Sequence, residues 1–186
     1  MGFAMKTGGR PRPAVVADAA EIAAIHVDSW RETYQGMLSD RYLAGMDVRD
    51  YEDRWLRTIQ DPYHRSVVFV SEEDDRLVGF ASCGHERDGD PRYEGELYAI
   101  YLRLAAQGRG HGRALVEAAA AGLAIRGMTS MVVWVLRDNA HARGFYERLG
   151  GVYLRERPLD LGPGLDVPEV SYLWANTAAL RSVAAG

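Results

Sequence analysis

The chain has 186 residues, of which 47% are hydrophobic and 26% charged, and carries a net charge of −4. That length describes one domain, the hydrophobic share excludes wholesale disorder, and no run of 18 apolar residues offers a membrane span. A single cysteine, Cys83, excludes an internal disulfide and a thiolate metal cluster, and fits a reducing, cytoplasmic setting.

Residues 1–13 hold two of the seven prolines, Gly8 and Gly9, and no apolar core of a signal peptide, so they read as a flexible leader before a domain over residues 14–175. Asp18 reads as a helix cap with Glu21 completing a capping box, and a helix follows from about Ala19 to Gln35, stopped by Gly36. A second helix starts after Asp47, aligns Tyr51, Trp55 and Ile59 on one face, and stops at Asp61-Pro62. Ser66 to Val70 is β-branched and aromatic, and reads as a strand. A turn at Glu72–Asp75 leads to its hairpin partner, Arg76 to Gly84. A polar loop spans His85 to Tyr93, and a long strand spans Glu94 to Leu104. An alanine-rich helix from Gly110 to Arg126 precedes the strand Met131–Leu136, apolar on both faces as a central strand should be. A helix from Asn139 to Leu149 and two strands, Val152–Arg157 and Val170–Ala175, complete the domain. Residues 176–186 read as a C-terminal tail. The order predicts one α/β (α+β) domain with a mixed central sheet of six to seven strands and about four helices.

Charge is unevenly spread: residues 1–100 contain 19 acids and 12 bases, whereas residues 101–186 contain 7 acids and 10 bases. This predicts a cation site in the first half and an anion site in the second. The negative net charge and the lack of a basic stripe argue against nucleic acid as a partner. The five histidines, His26, His64, His85, His111 and His141, lack metal-ligand spacing, so no metal is expected.

The chemically informative segment runs from Leu97 through Leu102 to Gln107-Gly108-Arg109-Gly110-His111-Gly112-Arg113-Ala114. It reads as a strand, a glycine-rich turn and a helix start. Gly108, Gly110 and Gly112 let backbone N–H groups approach a ligand, and the helix N-terminus adds partial positive charge, which together suit phosphate. Arg109 and Arg113 add charge-assisted bonds. The spacing is not that of a dinucleotide fingerprint, because Trp134 and Val135 stand where a ribose-binding acid should be. It is not a Walker loop either, because the only lysine is Lys6.

These residues resemble the GNAT superfamily of acetyl-coenzyme A-dependent N-acetyltransferases. The signature Q/R-x-x-G-x-G/A matches at Gln107, Gly110 and Gly112, and N-x-x-A-x-x-F-Y-x-x-x-G matches at Asn139, Ala142, Phe145, Tyr146 and Gly150. The resemblance covers about residues 14–175 and departs from the family at Leu104, where proline is common, and at Gly150-Gly151, where Gly-Phe is usual. It implies that strand Leu97–Leu102 splays from Met131–Leu136, leaving a slot for the pantetheine arm of acetyl-CoA. Backbone groups of Ile100 and Leu102 would bond the arm, with Tyr101 between them, and the Leu102 N–H would hold the oxyanion. Gln107, Gly108 and the amides of Arg109, Gly110, His111, Gly112, Arg113 and Ala114 would hold the pyrophosphate, with the His111 side chain turned to solvent or phosphate. Asn139 would bond the pantetheine, with Ala142 beside it, and Phe145 would pack on the cofactor.

Tyr146 stands where family members place the acid that protonates the departing thiolate, and Glu96 where several place the general base, with Glu94 as substitute. Alternation puts Glu94, Glu96, Tyr98 and Ile100 on one face, so Tyr98 would line the substrate side. Trp30, Tyr34, Asp28 and His85 complete the expected acceptor wall, and Asp28, Glu32, Asp88 and Asp90 would attract a cationic amine. The implied reaction is acetyl transfer to a primary amine of a small molecule. A protein N-terminus as acceptor, and an acyl-CoA-binding module without turnover, stand as alternatives. The two terminal strands offer edges for a homodimer.

Overall fold

The computed structural model describes residues 10–63, 65–162 and 166–182. Its elements in chain order are β1 (Arg12–Pro13), α1 (Ala19–Thr33), α2 (Asp40–Ala44), α3 (Val48–Ile59), β2 (Ser66–Glu73), β3 (Arg76–His85), β4 (Gly95–Leu102), α4 (His111–Ile125), β5 (Met131–Leu136), α5 (Ala140–Arg148), β6 (Val152–Asp160), β7 (Asp166–Trp174) and α6 (Ala179–Ser182). Single 3₁₀ turns precede α1 at Val16–Asp18 and α4 at Leu104–Ala106. The strands form one seven-stranded sheet in the order β1-β2-β3-β4-β5-β7-β6. Every pairing is antiparallel except β4 with β5. The mixed sheet of the sequence reading is therefore present, flanked by four longer helices and two short ones among the described residues.

Two features of β4 position the site. Its parallel ladder with β5 covers only Gly95–Met131, Glu96–Val132 and Leu97–Val133. Both strands continue, β4 to Leu102 and β5 to Leu136, so the sheet opens between them. The antiparallel ladder with β3 shifts register between Ser82 and Cys83, which pair with Ala99 and Leu97 and leave Tyr98 as an extra residue. Leu97, Ile100 and Leu102 consequently join the α4 core, while Ala99 and Tyr101 join the α1–α3 core. The bulge breaks strict alternation: Glu96 shares a face with Ala99 and Tyr101, and Ile100 lies on the other.

The larger core packs α4 and α5 on one sheet face through Leu115, Ala119, Leu123, Met131 and Tyr172. A second packs α1 and α3 over β2 and β3 through Ile22, Ile25, Trp55 and Phe80. A third joins α1 and α2 to the open end of the sheet through Val27, Tyr34, Leu43 and Leu136.

Several terminal readings change. Residues 1–9 of the expected leader lie outside the described residues, but Arg12 and Pro13 pair with Val70 and Phe69 as an edge strand. The Arg12 guanidinium anchors them through Asp18 at 2.8 Å and Glu72 at 2.6 Å. Asp18 therefore does not cap α1: it is itself helical, and its carboxylate is taken by Arg12 and the Val15 N–H. Glu21 turns to Arg103 instead of closing a capping box. The tail is docked at its start, where the Thr177 N–H donates to Thr129 O and Leu180 is buried; residues 183–186 lie outside the described part.

Candidate active site

Between β4 and α4 the chain makes an open turn. Gly108 (φ +72°) and Gly110 (φ +90°) adopt left-handed backbone that a side chain would strain, and a Cβ at either would meet nothing within 4 Å. Gly110 occupies the cap position of α4 without any side-chain cap, so the amides of His111, Gly112 and Arg113 meet no capping group. The Ala114 N–H differs from the expectation: it donates to Gly110 O at 3.1 Å as the first bond of the helix and is spent. The His111 side chain also differs. It is buried beneath the turn, 1% exposed, with Nδ1 2.8 Å from Ser71 Oγ and Nε2 3.9 Å from Glu73 Oε2. The reason is its place as first helical residue directly over polar groups at the end of β2. Glu73 also pairs with Arg109, and Arg113 faces Glu117 one turn along α4.

Gly112 sits where β4, α4 and α5 converge. A Cβ there would lie 3.2 Å from Phe145 Cζ and 3.3 Å from Leu102 Cδ1. Phe145 and Leu102 thus form the floor of the gap between β4 and β5. The N–H groups of β4 follow from one bond. Arg103 N donates to Val78 O at 2.8 Å, so it faces β3. Successive strand N–H groups point to opposite sides, so those of Leu102 and Ile100 face away from β3, toward the gap that β5 leaves.

Five further side chains belong to the elements near this gap. Asn139 caps α5, its Oδ1 accepting from Ala142 N at 3.0 Å, and its side chain also meets the Tyr34 hydroxyl. Tyr34 in turn meets Tyr101. Tyr146 is 5% exposed and packs against Phe145, Tyr172 and Trp174. Burial raises all three phenols above their ordinary value, and the neighbouring Tyr34 adds to the effect at Tyr146. Trp30 stands edge-on to Tyr34, its ring 4.9 Å away, and within 6.5 Å of Tyr101, so the two expected wall aromatics do meet.

The α1-side face of the sheet beyond the gap is charged. Glu96 is 2% exposed, and both its oxygens are held by Arg87: Oε1 by Nη2 at 2.5 Å, Oε2 by Nε at 3.1 Å and by the backbone N–H at 3.2 Å. Arg87 also lies over the Tyr98 ring at 4.6 Å, while the Tyr98 hydroxyl donates to His85 O. Tyr98 and the His85 backbone thus anchor the loop before β4, and the His85 side chain is exposed. Glu94 is drawn away to Thr129.

Three of the four acids expected to attract a cation, all but Glu32, are paired. Asp28 faces Arg103 at 3.9 Å, Asp88 binds Arg155 and Arg157, and Asp90 binds Arg92 and approaches Arg155. Those three acids are thus committed to arginines of the chain itself. Glu21, Asp28, Glu73 and Asp88 of the first half meet arginines of the second, whereas Asp18, Asp61, Glu72 and Glu96 pair with arginines of the first.

Sequence reasoning missed Glu169, Arg157 and Trp134. Trp134 is the first β5 residue beyond the ladder with β4, and Arg157 lies 3.7 Å over its ring. Glu169 on β7 is 4% exposed, and its Oε1 accepts from Arg157 Nε at 2.7 Å. A glutamate in a segment written Val-Pro-Glu-Val carries no motif; only the antiparallel pairing of β7 with β5 brings it to the open end of the sheet.

Known proteins share this chain's sequence and fold. A family model described as the Acetyltransferase (GNAT) family matches residues 21–151. The uncharacterized N-acetyltransferase YuaI of Bacillus subtilis (strain 168) is 35% identical over 173 residues, covering 92% of this chain and 96% of that protein. The mycothiol acetyltransferase of Rhodococcus opacus (strain B4) is 35% identical over 103 residues, 55% of this chain but only 34% of that protein. Among solved structures, the PaiA N-acetyltransferase of Thermoplasma acidophilum in complex with coenzyme A shares the fold at a TM-score of 0.68 and 20% identity, covering 86% of this chain and 96% of that one. With the family match spanning more than half of the chain, and a 35% identical relative matched over nearly its whole length, this chain belongs to the GNAT family of acetyltransferases.

Proposed function

We propose that the protein transfers the acetyl group of acetyl-CoA to a primary amine of a small-molecule acceptor, by direct attack within a ternary complex. The observation that carries this is the gap between β4 and β5, with the amides of Ile100 and Leu102 directed into it and the uncapped, open turn of Gly108 and Gly110 nearby. The residues fit the donor substrate. The turn offers backbone donors and Arg109 to a pyrophosphate. The floor of Leu102 and Phe145 offers apolar contact, and Asn139 offers an amide.

The chemistry follows from these groups. The amine lone pair attacks the thioester carbonyl carbon, forming N–C, and charge collects on the carbonyl oxygen. The Leu102 N–H stabilises that charge, and one such donor is typically worth about 2.7–4 kcal/mol. As C–S breaks, Tyr146 gives its proton to the leaving sulfur; burial keeps that proton on the phenol at neutral pH. Trp30 and Tyr34 form the acceptor wall on the α1 side. Glu96, with both oxygens engaged, fits best as the anchor of Arg87 and of the loop before β4.

The test is calorimetric. The protein is expected to bind acetyl-CoA, and Gly110→Asp, which places a carboxylate and a strained φ in the turn, to abolish binding while the fold persists. A folded parent that does not bind acetyl-CoA would overturn the reading. If it binds, a panel of amines scored by free-thiol release identifies the acceptor.

A further inference from the structure

The geometry points to Glu169, on β7, as the group that takes the proton from the attacking amine. This rests on the acetyl transfer proposed above and supplies the base that Glu96 is not free to be.

Two carboxylates of the sheet are buried, Glu96 on β4 and Glu169 on β7, and they differ in how they are held. Glu96 lies on the paired stretch of β4, beside Val132, where the strands have not yet separated. Three N–H groups of Arg87 occupy both its oxygens. Glu169 sits opposite Leu136, the last residue of β5, where the strands have opened. Arg157 Nε engages its Oε1 alone, which leaves Oε2 outside that contact. Leu136, the β5 partner of Glu169, packs in one cluster with Tyr34, whose hydroxyl meets Asn139 and Tyr101, and Tyr34 neighbours Tyr146. One chain of groups therefore runs from a buried carboxylate, through the acceptor wall, to the thiolate acid. An amine held against Tyr34 and attacking a thioester in the gap lies between the two.

The surroundings suit the task. Burial raises the Glu169 carboxyl, and the charge of Glu96 adds to this, while Arg157 and Arg87 oppose it. Arg157 is itself shared with Asp88, which weakens its hold on Glu169. A base whose affinity for protons lies nearer the working pH removes a proton more effectively than an ordinary carboxylate. The step balances: the amine nitrogen forms N–C and loses one proton to Glu169, the C–S pair leaves on sulfur, and sulfur takes the Tyr146 proton. Solvent then returns a proton from Glu169 to Tyr146 when products leave.

The experiment compares Glu169→Gln, Glu169→Asp and Glu96→Gln with the parent. It uses calorimetric acetyl-CoA binding, thermal unfolding and the pH dependence of kcat/KM with the best amine of the panel. Glu169→Gln keeps an acceptor for Arg157, so it is expected to fold and to bind acetyl-CoA as the parent does. It is expected to lose about 100-fold or more in kcat and the acid limb of the profile, as removal of a general base does. Glu169→Asp is expected to keep the limb with a reduced rate, and Glu96→Gln to keep it whatever it loses in magnitude. A readout independent of turnover is the carboxyl ¹³C titration of the free protein: one glutamate should titrate above the ordinary range, and its signal should be absent in Glu169→Gln. An acid limb that survives in folded Glu169→Gln overturns this assignment alone. A parent that binds acetyl-CoA but acetylates no amine overturns the transferase reading and the assignment with it.

Discussion

Tyr146 and Cys83 show how one physical term, burial, sets opposite chemical fates. Tyr146 is closed into the α4–α5 core, and loss of hydration penalises its phenolate, so it holds a proton well beyond neutral pH. A phenol that keeps its proton at neutral pH is a usable acid only where a base is generated beside it, as the leaving thiolate is. Tyr146→Phe keeps the ring and its contacts and removes the proton. We expect kcat to fall by about 10²-fold or more, with acetyl-CoA affinity and thermal stability nearly unchanged; turnover equal to the parent across the pH range would end the acid role. Cys83 is equally enclosed, fully buried in β3, its thiol donating to Ala119 O at 3.7 Å. Burial pushes that thiol up to about 12. It is therefore expected to resist maleimide in the native protein at neutral pH and to react fully after denaturation; rapid native labelling would show that the strand opens.

At the scale of elements, the decisive object is the pair β3–β4. Gly79 of β3 faces Leu102, and a Cβ there would fall 2.3 Å from Leu102 Cδ2 and 2.8 Å from Tyr101 O. One contact is with backbone, so the strand itself must shift. Gly79→Ala is expected to destabilise the fold by ~1–3 kcal/mol, the usual cost of overpacking, and to displace the Leu102 N–H. Acetyl-CoA affinity should fall more than the loss of stability alone would cause. Binding equal to the parent's would show that β4 tolerates the shift. This pair also shows what the sequence discloses. The strand was legible from the apolar run Leu97–Leu102, and its gap with β5 was implied by the family resemblance that the motifs on either side carry. The bulge at Tyr98 was not, because no residue there announces an extra unpaired position. Alternation read without it placed Ile100 on the face of Glu96. The turn glycines were legible because positive φ has few residue solutions. Glu169 and the Arg87–Glu96 pair were not, because long-range pairing of charges leaves no local pattern. The edge strand at Arg12–Pro13 was missed for the same reason: its anchors, Asp18 and Glu72, are tertiary partners.

Across the whole molecule, the charge asymmetry of the sequence becomes cross-linking rather than a field. Glu73 meets Arg109, Asp28 meets Arg103, and Asp88 meets Arg155 and Arg157, so acids of the first half fasten segments of the second. Such exposed pairs contribute little singly, and the pH dependence of folding is argued better from a half-buried imidazole. His26 lies where α1, α3 and the sheet meet, its ring stacked on Tyr101 at 4.9 Å and near Tyr51 at 4.5 Å, with Trp55 Nε1 donating to its Nδ1 at 3.3 Å. Burial, aided by Arg54, pushes its pKa from 6.5 down to about 3. The folded protein therefore carries it neutral while the unfolded chain protonates it. The stability tied to neutral His26 is whole above pH 6.5, is lost as pH falls from there toward 3, and changes no further below that. By this linkage the site removes about 2 kcal/mol between neutral pH and pH 5. His26→Gln keeps an acceptor for Trp55 but does not titrate. Denaturant unfolding at pH 7.5 and pH 5 should show the parent losing about 2 kcal/mol more than the variant, whatever constant offset the lost ring contacts impose. Equal losses in the two proteins would mean that His26 reaches solvent in the folded state, and that the aromatic junction between the two layers opens readily.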